Sequence, residues 1–376
     1  MRIRFSKRLP SRKALLLVGI LLAVLVISSC RGISTIPKGW SGGTIDDGNL
    51  YIGSMEGRLV AMNISEGSRL WATLLETEST GGGTFGCTPG STSVAIYGSP
   101  AILGDLIYVG GYNGKVYAFI ADRDTPRWVY PRQGDIGGPI VGGLIASQDK
   151  LFFGSGDGKV YALDAADGFE EWEFKTDDKI WSTPAVDGDT LFIGSFDKKL
   201  YALNVNDGSK KWEFETEGAI VATPVVDNGV VYIGSFDRSL YAVDAASGTM
   251  KWQLMAENWF WAKPLVHNGT VYAGSLDGKV YVIDAVSGAK RLDFDLGSPV
   301  SSSPVLVGDS VIVATENGLI YKLGTNDNRQ RQLVELGEKV FSPLAASDGA
   351  VYVHTANDVL YSIDTQSGAV REFDIN

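Results

Sequence analysis

The sequence predicts an all-β fold, an eight-bladed β-propeller of four-stranded antiparallel blades, on three observations. The first is a repeat. A small-residue pair at Gly53-Ser54 returns at Gly110-Gly111, Gly154-Ser155, Gly194-Ser195, Gly234-Ser235, Gly274-Ser275, Ala314-Thr315 and His354-Thr355, with spacings of 57, 44 and then 40 five times. A tyrosine column keeps step at Tyr117, Tyr161, Tyr201, Tyr241, Tyr281, Tyr321 and Tyr361, and prolines lead the units at Pro100, Pro139, Pro184, Pro224, Pro264, Pro304 and Pro343. Such a period points to propellers or to helical arrays. The second observation is local. Runs such as VVYI (230–233) and LYAV (240–243) are β-branched and aromatic, and sister units separate them with Asp277-Gly278 or Asn317-Gly318, the mark of hairpins. The third is the lack of a helical apolar period of useful length in any unit, which removes the arrays.

In chain order the first element is residues 1–29. They carry Arg2, Arg4, Lys7, Arg8, Arg12 and Lys13 with no acidic residue, followed by the uncharged run Ala14 to Ile27. A basic head and a short apolar middle form a secretory leader, and the run is shorter than the roughly 20 residues a spanning helix needs. It ends Ile27-Ser28-Ser29-Cys30, which resembles a bacterial lipobox with Cys30 as the lipidated residue. The alternative is an uncleaved anchor followed by an unmodified cysteine. Either way the body of the chain is expected outside the cytoplasm, held to the membrane at its N-terminus, with residues 30–39 as tether.

Residues 40–376 are the propeller, interrupted by a polar insertion at about 76–95 between units one and two. The whole chain has 33 basic and 44 acidic residues, net −11; without the six leader cations it has 27 against 44, net −17. So acidic a body repels phosphate backbones, and nucleic acid is not an expected partner. With Cys30 lipidated, Cys87 has no partner, so no disulfide framework is expected. Each unit supplies four strands: one from the Pro, one through the small pair, one through the Tyr and one ending at a Trp. Closing eight such units into a ring leaves only short, protected edges and buries each blade on its neighbours.

The pattern AVDAASGTMKW (242–252), repeated as ALDAADGFEEW (162–172), resembles the PQQ-like repeat family over nearly all of residues 40–376. The resemblance implies that the repeat tryptophans Trp71, Trp128, Trp172, Trp212 and Trp252 dock against the next blade. The matching positions later in the chain are Leu292, Gln332 and Glu372, so units six to eight are expected to be clamped more loosely. The family holds both quinoprotein dehydrogenases and non-enzymatic scaffolds such as the BamB-type outer-membrane assembly lipoproteins. The dehydrogenases carry an adjacent Cys-Cys pair and a Glu/Asn/Asp set around calcium; here Cys30 and Cys87 are 57 residues apart.

Other chemistry finds little support. Asp164, Asp244, Asp284 and Asp364 recur at one turn position, which is turn and cap chemistry rather than a catalytic dyad. His267 and His354, read as ordinary positions in the second strand of their units, are too few for a histidine metal site. The chain Asn204 to Gly208 has the wrong register for a calcium loop, and Gly81 to Gly83 and Gly137-Gly138 lack the Lys-Ser/Thr of a phosphate loop. No Ser stands in a Gly-x-Ser-x-Gly setting, and Cys87 has no nominated His partner. No catalytic residue and no metal ligand is assigned.

One column breaks the uniformity. Four residues before the prolines stand Ile96, Ile180, Ile220, Phe260 and Val300; three before stand Tyr97, Trp181, Val221, Trp261 and Ser301, with Phe341 joining after a one-residue slip and Trp259 alongside. Alternation along a first strand puts the second set on the opposite face, toward the axis, so Tyr97, Trp181, Trp261 and Phe341 are expected to crowd one mouth of the ring. They form either a plug or a partner pocket. The reading is a non-enzymatic, lipid-anchored scaffold of the cell envelope that binds envelope or membrane proteins, with no cofactor expected. The alternatives are a quinoprotein-like oxidoreductase with PQQ stacked on Trp181 or Trp261, and a cell-surface carbohydrate- or ligand-binding sensor.

Overall fold

Blade four shows how the repeat builds a sheet. Ala185–Asp187, Thr190–Gly194, Lys199–Asn204 and Lys210–Glu215 pair antiparallel in chain order. The second strand, TLFIG, is buried along its whole length and the third nearly so, while the outermost, KKWEFE, alternates half-buried and exposed side chains. At the tip of the central hairpin Lys198 and Arg238 have φ 73° and Asp358 has φ 66°, where sister blades use Gly158, Gly278 and Gly318. That left-handed geometry is costly for a residue with a β-carbon, and glycine is its default occupant.

The computed structural model describes residues 39–75 and 94–375. Within them the four-stranded unit occurs eight times, at Thr44–Leu74, Ala101–Tyr130, Ile145–Lys175, Ala185–Glu215, Val225–Met255, Leu265–Asp295, Val305–Glu335 and Ala345–Phe373. The fold is an eight-bladed propeller, all β, as the repeat requires. The leader, Cys30 and most of the tether lie outside the described residues, as do residues 76–93 of the insertion with Cys87. One detail of the expected blade is corrected: the outer strand continues past its Trp, because Phe214 and its equivalents go on pairing with the third strand.

Buried clusters bridge the seams between blades. Phe192, Leu200 and Ala202 of blade four meet Val231, Ile233 and Tyr241 of blade five, and Leu50, Ile52 and Val60 of blade one meet Tyr352, Leu360 and Phe373 of blade eight. The repeat Trp crosses each seam from blade one to blade six. Trp71, Trp128, Trp172, Trp212 and Trp252 donate their indole N–H to the carbonyls of Ala121, Ala165, Val205, Ala245 and Ala285 in the next blade, at 2.8 to 3.3 Å. Each of the last four rings also covers a glycine of that blade, Gly168, Gly208, Gly248 and Gly288, so closely that a β-carbon there would meet it under 3 Å.

At the end of the ring the alignment by sequence is corrected by a register shift. Trp252 faces Ala242 because a bulge follows that pair. In blade seven the bulge comes two residues earlier and in blade eight there is none, so Arg331 and Arg371, not Gln332 and Glu372, take the Trp register; in blade six Leu292 holds it. Arg371 reaches the carbonyls of Ser65 and Glu66 at 3.3 and 2.6 Å, and a β-carbon on Gly67 would strike it.

Because each blade is contiguous in sequence, no strand among the described residues is exchanged between blades one and eight, and that seam closes on side chains. His354, 3% exposed, donates Nδ1–H to the Ser41 carbonyl at 3.0 Å and sets Nε2 2.8 Å from Asp358 Oδ1. Asp358 Oδ1 also accepts the Met55 N–H at 2.8 Å. His354 is therefore a ring-closing residue rather than an ordinary strand position, and His267 ends the first strand of blade six instead of lying in the second.

A second recurrent tie lies inside the blades. Asp157, Asp197, Asp237 and Asp277 accept the hydroxyls of Tyr161, Tyr201, Tyr241 and Tyr281 at 2.6 to 2.8 Å. The last three acids also accept a backbone N–H of the linker entering their blade, from Asp177, Glu217 and Glu257. Asp164, Asp244, Asp284 and Asp364 each accept two backbone N–H groups of their own turn. Burial, and then these carboxylate partners, push the Tyr161, Tyr201, Tyr241 and Tyr281 hydroxyls far above the usual tyrosine value.

Two outcomes are expected from this framework. Trp252→Ala removes a ring that is 8% exposed and its cross-seam hydrogen bond, and should lower the free energy of unfolding by about 3–5 kcal/mol in a urea titration. Alkaline stability gives the second. Tyr108 and Tyr232 are pushed up to about 12, chiefly by burial, above the ordinary value near 10. The unfolded chain releases those protons first, so their contribution is intact below about pH 10 and is lost as pH rises toward about 12. Urea midpoints measured against pH should stay level to about 10 and then fall; a midpoint still level at about 12 would contradict the assignment.

Candidate functional site

Counting thirteen residues back from each small pair reaches one residue per blade: Trp40, Tyr97, Val141, Trp181, Val221, Trp261, Ser301 and Phe341. All eight line one cavity of about 770 Å³. The predicted mouth residues Tyr97, Trp181, Trp261 and Phe341 are thus brought together, but not by a first strand. In blade four that strand begins at Ala185, four residues beyond Trp181, and the column lies in the segment that enters each blade. Its backbone is bonded to small-pair turns rather than to a ladder: Ile220 N–H donates to the Ser195 carbonyl and Phe196 N–H to the Lys179 carbonyl, both at 3.0 Å. Ser182 Oγ adds a bond to the Ala222 carbonyl of the next segment at 2.8 Å.

Counting from the prolines misses Trp40 and Val141. Pro139 stands out of register, with Leu144 in the place that Pro184 holds in blade four, and Pro343 comes one residue early. Counting from the small pair finds every member without a slip, because that pair and the entering segment are hydrogen-bonded to each other.

The aromatics form two groups. Trp40 packs edge-on against Tyr97 at 4.7 Å between centroids and tilts against Phe341 at 6.1 Å, while Tyr97 meets Tyr112 at 5.5 Å. Burial, with Tyr112 beside it, raises the Tyr97 hydroxyl above its ordinary value. The second group is an arc across blades four to six. Trp181 meets Phe196 edge-on at 4.8 Å, Phe196 meets Phe236 at 6.3 Å, and Phe236 stacks on Trp259 at 4.4 Å and on Trp261 at 5.4 Å. Lys179 Nζ sits over both Trp181 and Phe196, 4.9 and 4.4 Å from their centroids, a cation–π arrangement. Trp259 is 41% exposed. Phe196 and Phe236 escaped the sequence reading although their position is legible: each directly follows a small pair, where sister blades have Met55, Tyr112, Gly156, Leu276, Glu316 and Ala356.

The repeat tryptophans Trp71, Trp128, Trp172, Trp212 and Trp252 lie at the seams, away from this cavity, and belong to the frame. Among the described residues no three His, Cys, Asp or Glu side chains gather as a metal-holding group. The described lining contains no Asp, Glu or Asn, and Lys263 is its single charged side chain. Those donors do not fit a calcium-held quinone of the PQQ type. What the arrangement offers is a largely apolar aromatic surface with Lys263 in its lining and Lys179 over the arc, suited to gripping apolar or aromatic groups.

A family profile described as outer membrane protein assembly factor BamB matches residues 39–146, 132–222, 216–292 and 277–371. Among solved structures, BamB from Moraxella catarrhalis has a TM-score of 0.70 at 20% identity, covering 86% of this chain and 93% of that one. The computationally designed Ika8 protein has a TM-score of 0.71 at 14% identity, covering 90% and 97%. No curated protein matches the sequence. At these identities the two structures show a shared fold.

The arc and the frame should respond differently to truncation. Trp259→Ala removes one stacked, 41% exposed ring and is expected to cost about 1 kcal/mol in unfolding free energy, against several times that for a seam tryptophan. Parallel urea titrations of the two variants check the difference.

Proposed function

Because the chain belongs to the family of the outer membrane protein assembly factor BamB, we propose that it is a non-enzymatic scaffold of the cell envelope that holds other envelope proteins at its aromatic mouth. The observation that carries this reading is the arc Trp181, Phe196, Phe236, Trp259 and Trp261 beside an open axial cavity. Rings in a mutually stacked array lose little conformational freedom when a partner covers them, and exposed aromatic patches of this kind mark interaction sites. A plug would fill the axis; here the collar surrounds about 770 Å³ of space. The described lining does not offer the donors that a calcium-held quinone requires, which supports the scaffold over the oxidoreductase.

The same reading places the protein outside the cytoplasm, tethered through a lipid on Cys30 after removal of residues 1–29. The support is the basic head, the short apolar run and the small residues before the cysteine. Lipidation adds buried methylene groups, so the tether and the mouth together let a soluble ring work beside membrane proteins.

Two tests follow. The double variant Trp181→Ala with Trp261→Ala, in full-length protein cross-linked in intact cells, should lose its cross-linked envelope partners while keeping nearly the wild-type melting temperature. Retained partners with a sharply lower melting temperature would mean that the collar is a plug. Cys30→Ser should leave the membrane fraction or accumulate with its leader uncleaved. A Cys30→Ser protein that is processed and membrane-bound like the wild type would refute the lipid tether.

A further inference from the structure

Two residues further along each entering segment a second ring lines the same cavity, with Ser99, Thr183, Thr223, Lys263 and Ser303 as its polar members. Thr183 Oγ1 accepts the Gly143 N–H at 2.7 Å, and Ser303 Oγ accepts the Lys263 N–H at 3.2 Å. A hydroxyl whose oxygen already accepts a backbone N–H keeps its own hydrogen to donate. Lys263 brings three N–H donors and no acceptor. By solvent accessibility Lys263 is an exposed residue where it opens on the cavity, although the surrounding walls partly desolvate its ammonium. Burial lowers its pKa, and no charged neighbour contributes.

Among the described residues Lys263 has no carboxylate within 4 Å, unlike eight other lysines of the propeller, and it shares that state with Lys175, Lys179 and Lys322, which meet carbonyls or rings instead. Lys150, Lys159, Lys199, Lys210, Lys211, Lys251, Lys279 and Lys290 each lie within 4 Å of a carboxylate. In a chain with 44 acidic residues, the axial lysine faces a described lining that holds none. Hydroxyl groups able to donate and one ammonium therefore line a cavity whose described lining holds no carboxylate. The complement of an ammonium facing such a lining is an oxygen anion, held in a charge-assisted pair.

We propose that the axial cavity is a carboxylate-binding site, in which Lys263 Nζ pairs with the carboxylate and the hydroxyls of Thr183 and Ser303 donate to its oxygens. At about 770 Å³ the cavity has the size of a small-ligand pocket and admits a free organic acid or the carboxylate end of a polypeptide. The aromatic collar would then hold whatever apolar group the carboxylate carries. The site shares Trp181 and Trp261 with the arc over blades four to six, but its carboxylate contacts stand whether or not that arc captures a protein.

Isothermal titration of the full-length protein in a nonionic detergent tests this with sodium acetate, sodium benzoate and two otherwise identical short peptides, one ending in a carboxylate and one in an amide. Saturable binding of a carboxylate probe is expected, weakened about tenfold or more by Lys263→Met and unchanged by Lys210→Met on the outer face. Binding of the acid-ended peptide alone identifies a polypeptide terminus as the ligand; binding of benzoate or acetate alone identifies a free acid. No saturable binding by any probe, or equal binding by Lys263→Met, overturns the proposal. Should Lys263→Met fail to fold, NMR of the wild-type protein with isotopically dimethylated lysines decides. Adding the carboxylate must raise the pKa of the Lys263 amine, and an unmoved titration overturns the site.

Discussion

Everything in this molecule depends on closing a ring that has no exchanged strand to lock it. A four-stranded blade cannot bury either face by itself, and each of its eight seams must be made by side chains from two blades. Seven seams join blades that are consecutive in the chain. The eighth brings blade eight back to blade one, paying the largest loop closure with no more than packing and a few hydrogen bonds. The repeat is altered there: His354 and Asp358 bind Ser41 and Met55, and Arg371 takes over the tryptophan's place on Ser65 and Glu66.

The seam also decides which positions are free to differ. Residues in the two central strands face a neighbouring blade, so Val231, Tyr241 and their equivalents stay apolar or tyrosine from unit to unit. Residues of the entering segments at thirteen and eleven places before the small pair face the axis, where no neighbour dictates their size. There the column runs from tryptophan through valine to serine, and from glycine through threonine to lysine. Departure from the repeat is thus concentrated where a ligand or partner could be met, on a scaffold held rigid by the seams.

The fold was legible because its signals are local and repeated: the small pair, the Asx-Gly turns and the Tyr column each recur, and one unit reads the next. The site was half legible. Trp181 and Trp261 stand out, yet the expected strand-one placement failed because alternation was applied to a segment bonded to turns instead of to a ladder. Trp40 was lost since blade one has no proline to count from, and Phe196 and Phe236 since a residue inside a tight turn shows nothing in sequence of the ring it will stack on. The Arg371 exchange was hidden by a bulge that blade eight lacks, a register change with no marker in a single sequence. Long-range pairs such as His354 with Ser41, 313 residues apart, have no local signature at all.

Native-state hydrogen exchange on the full-length protein tests the closed ring most directly. Central-strand amides at the closing seam, Tyr51 to Gly53 and Val351 to Val353, should open with the same free energy as Leu191 to Ile193 in blade four, all through one global unfolding event. Closing-seam amides that exchange through a separate, much cheaper opening, with blade four still protected, would show that side chains alone do not close this ring.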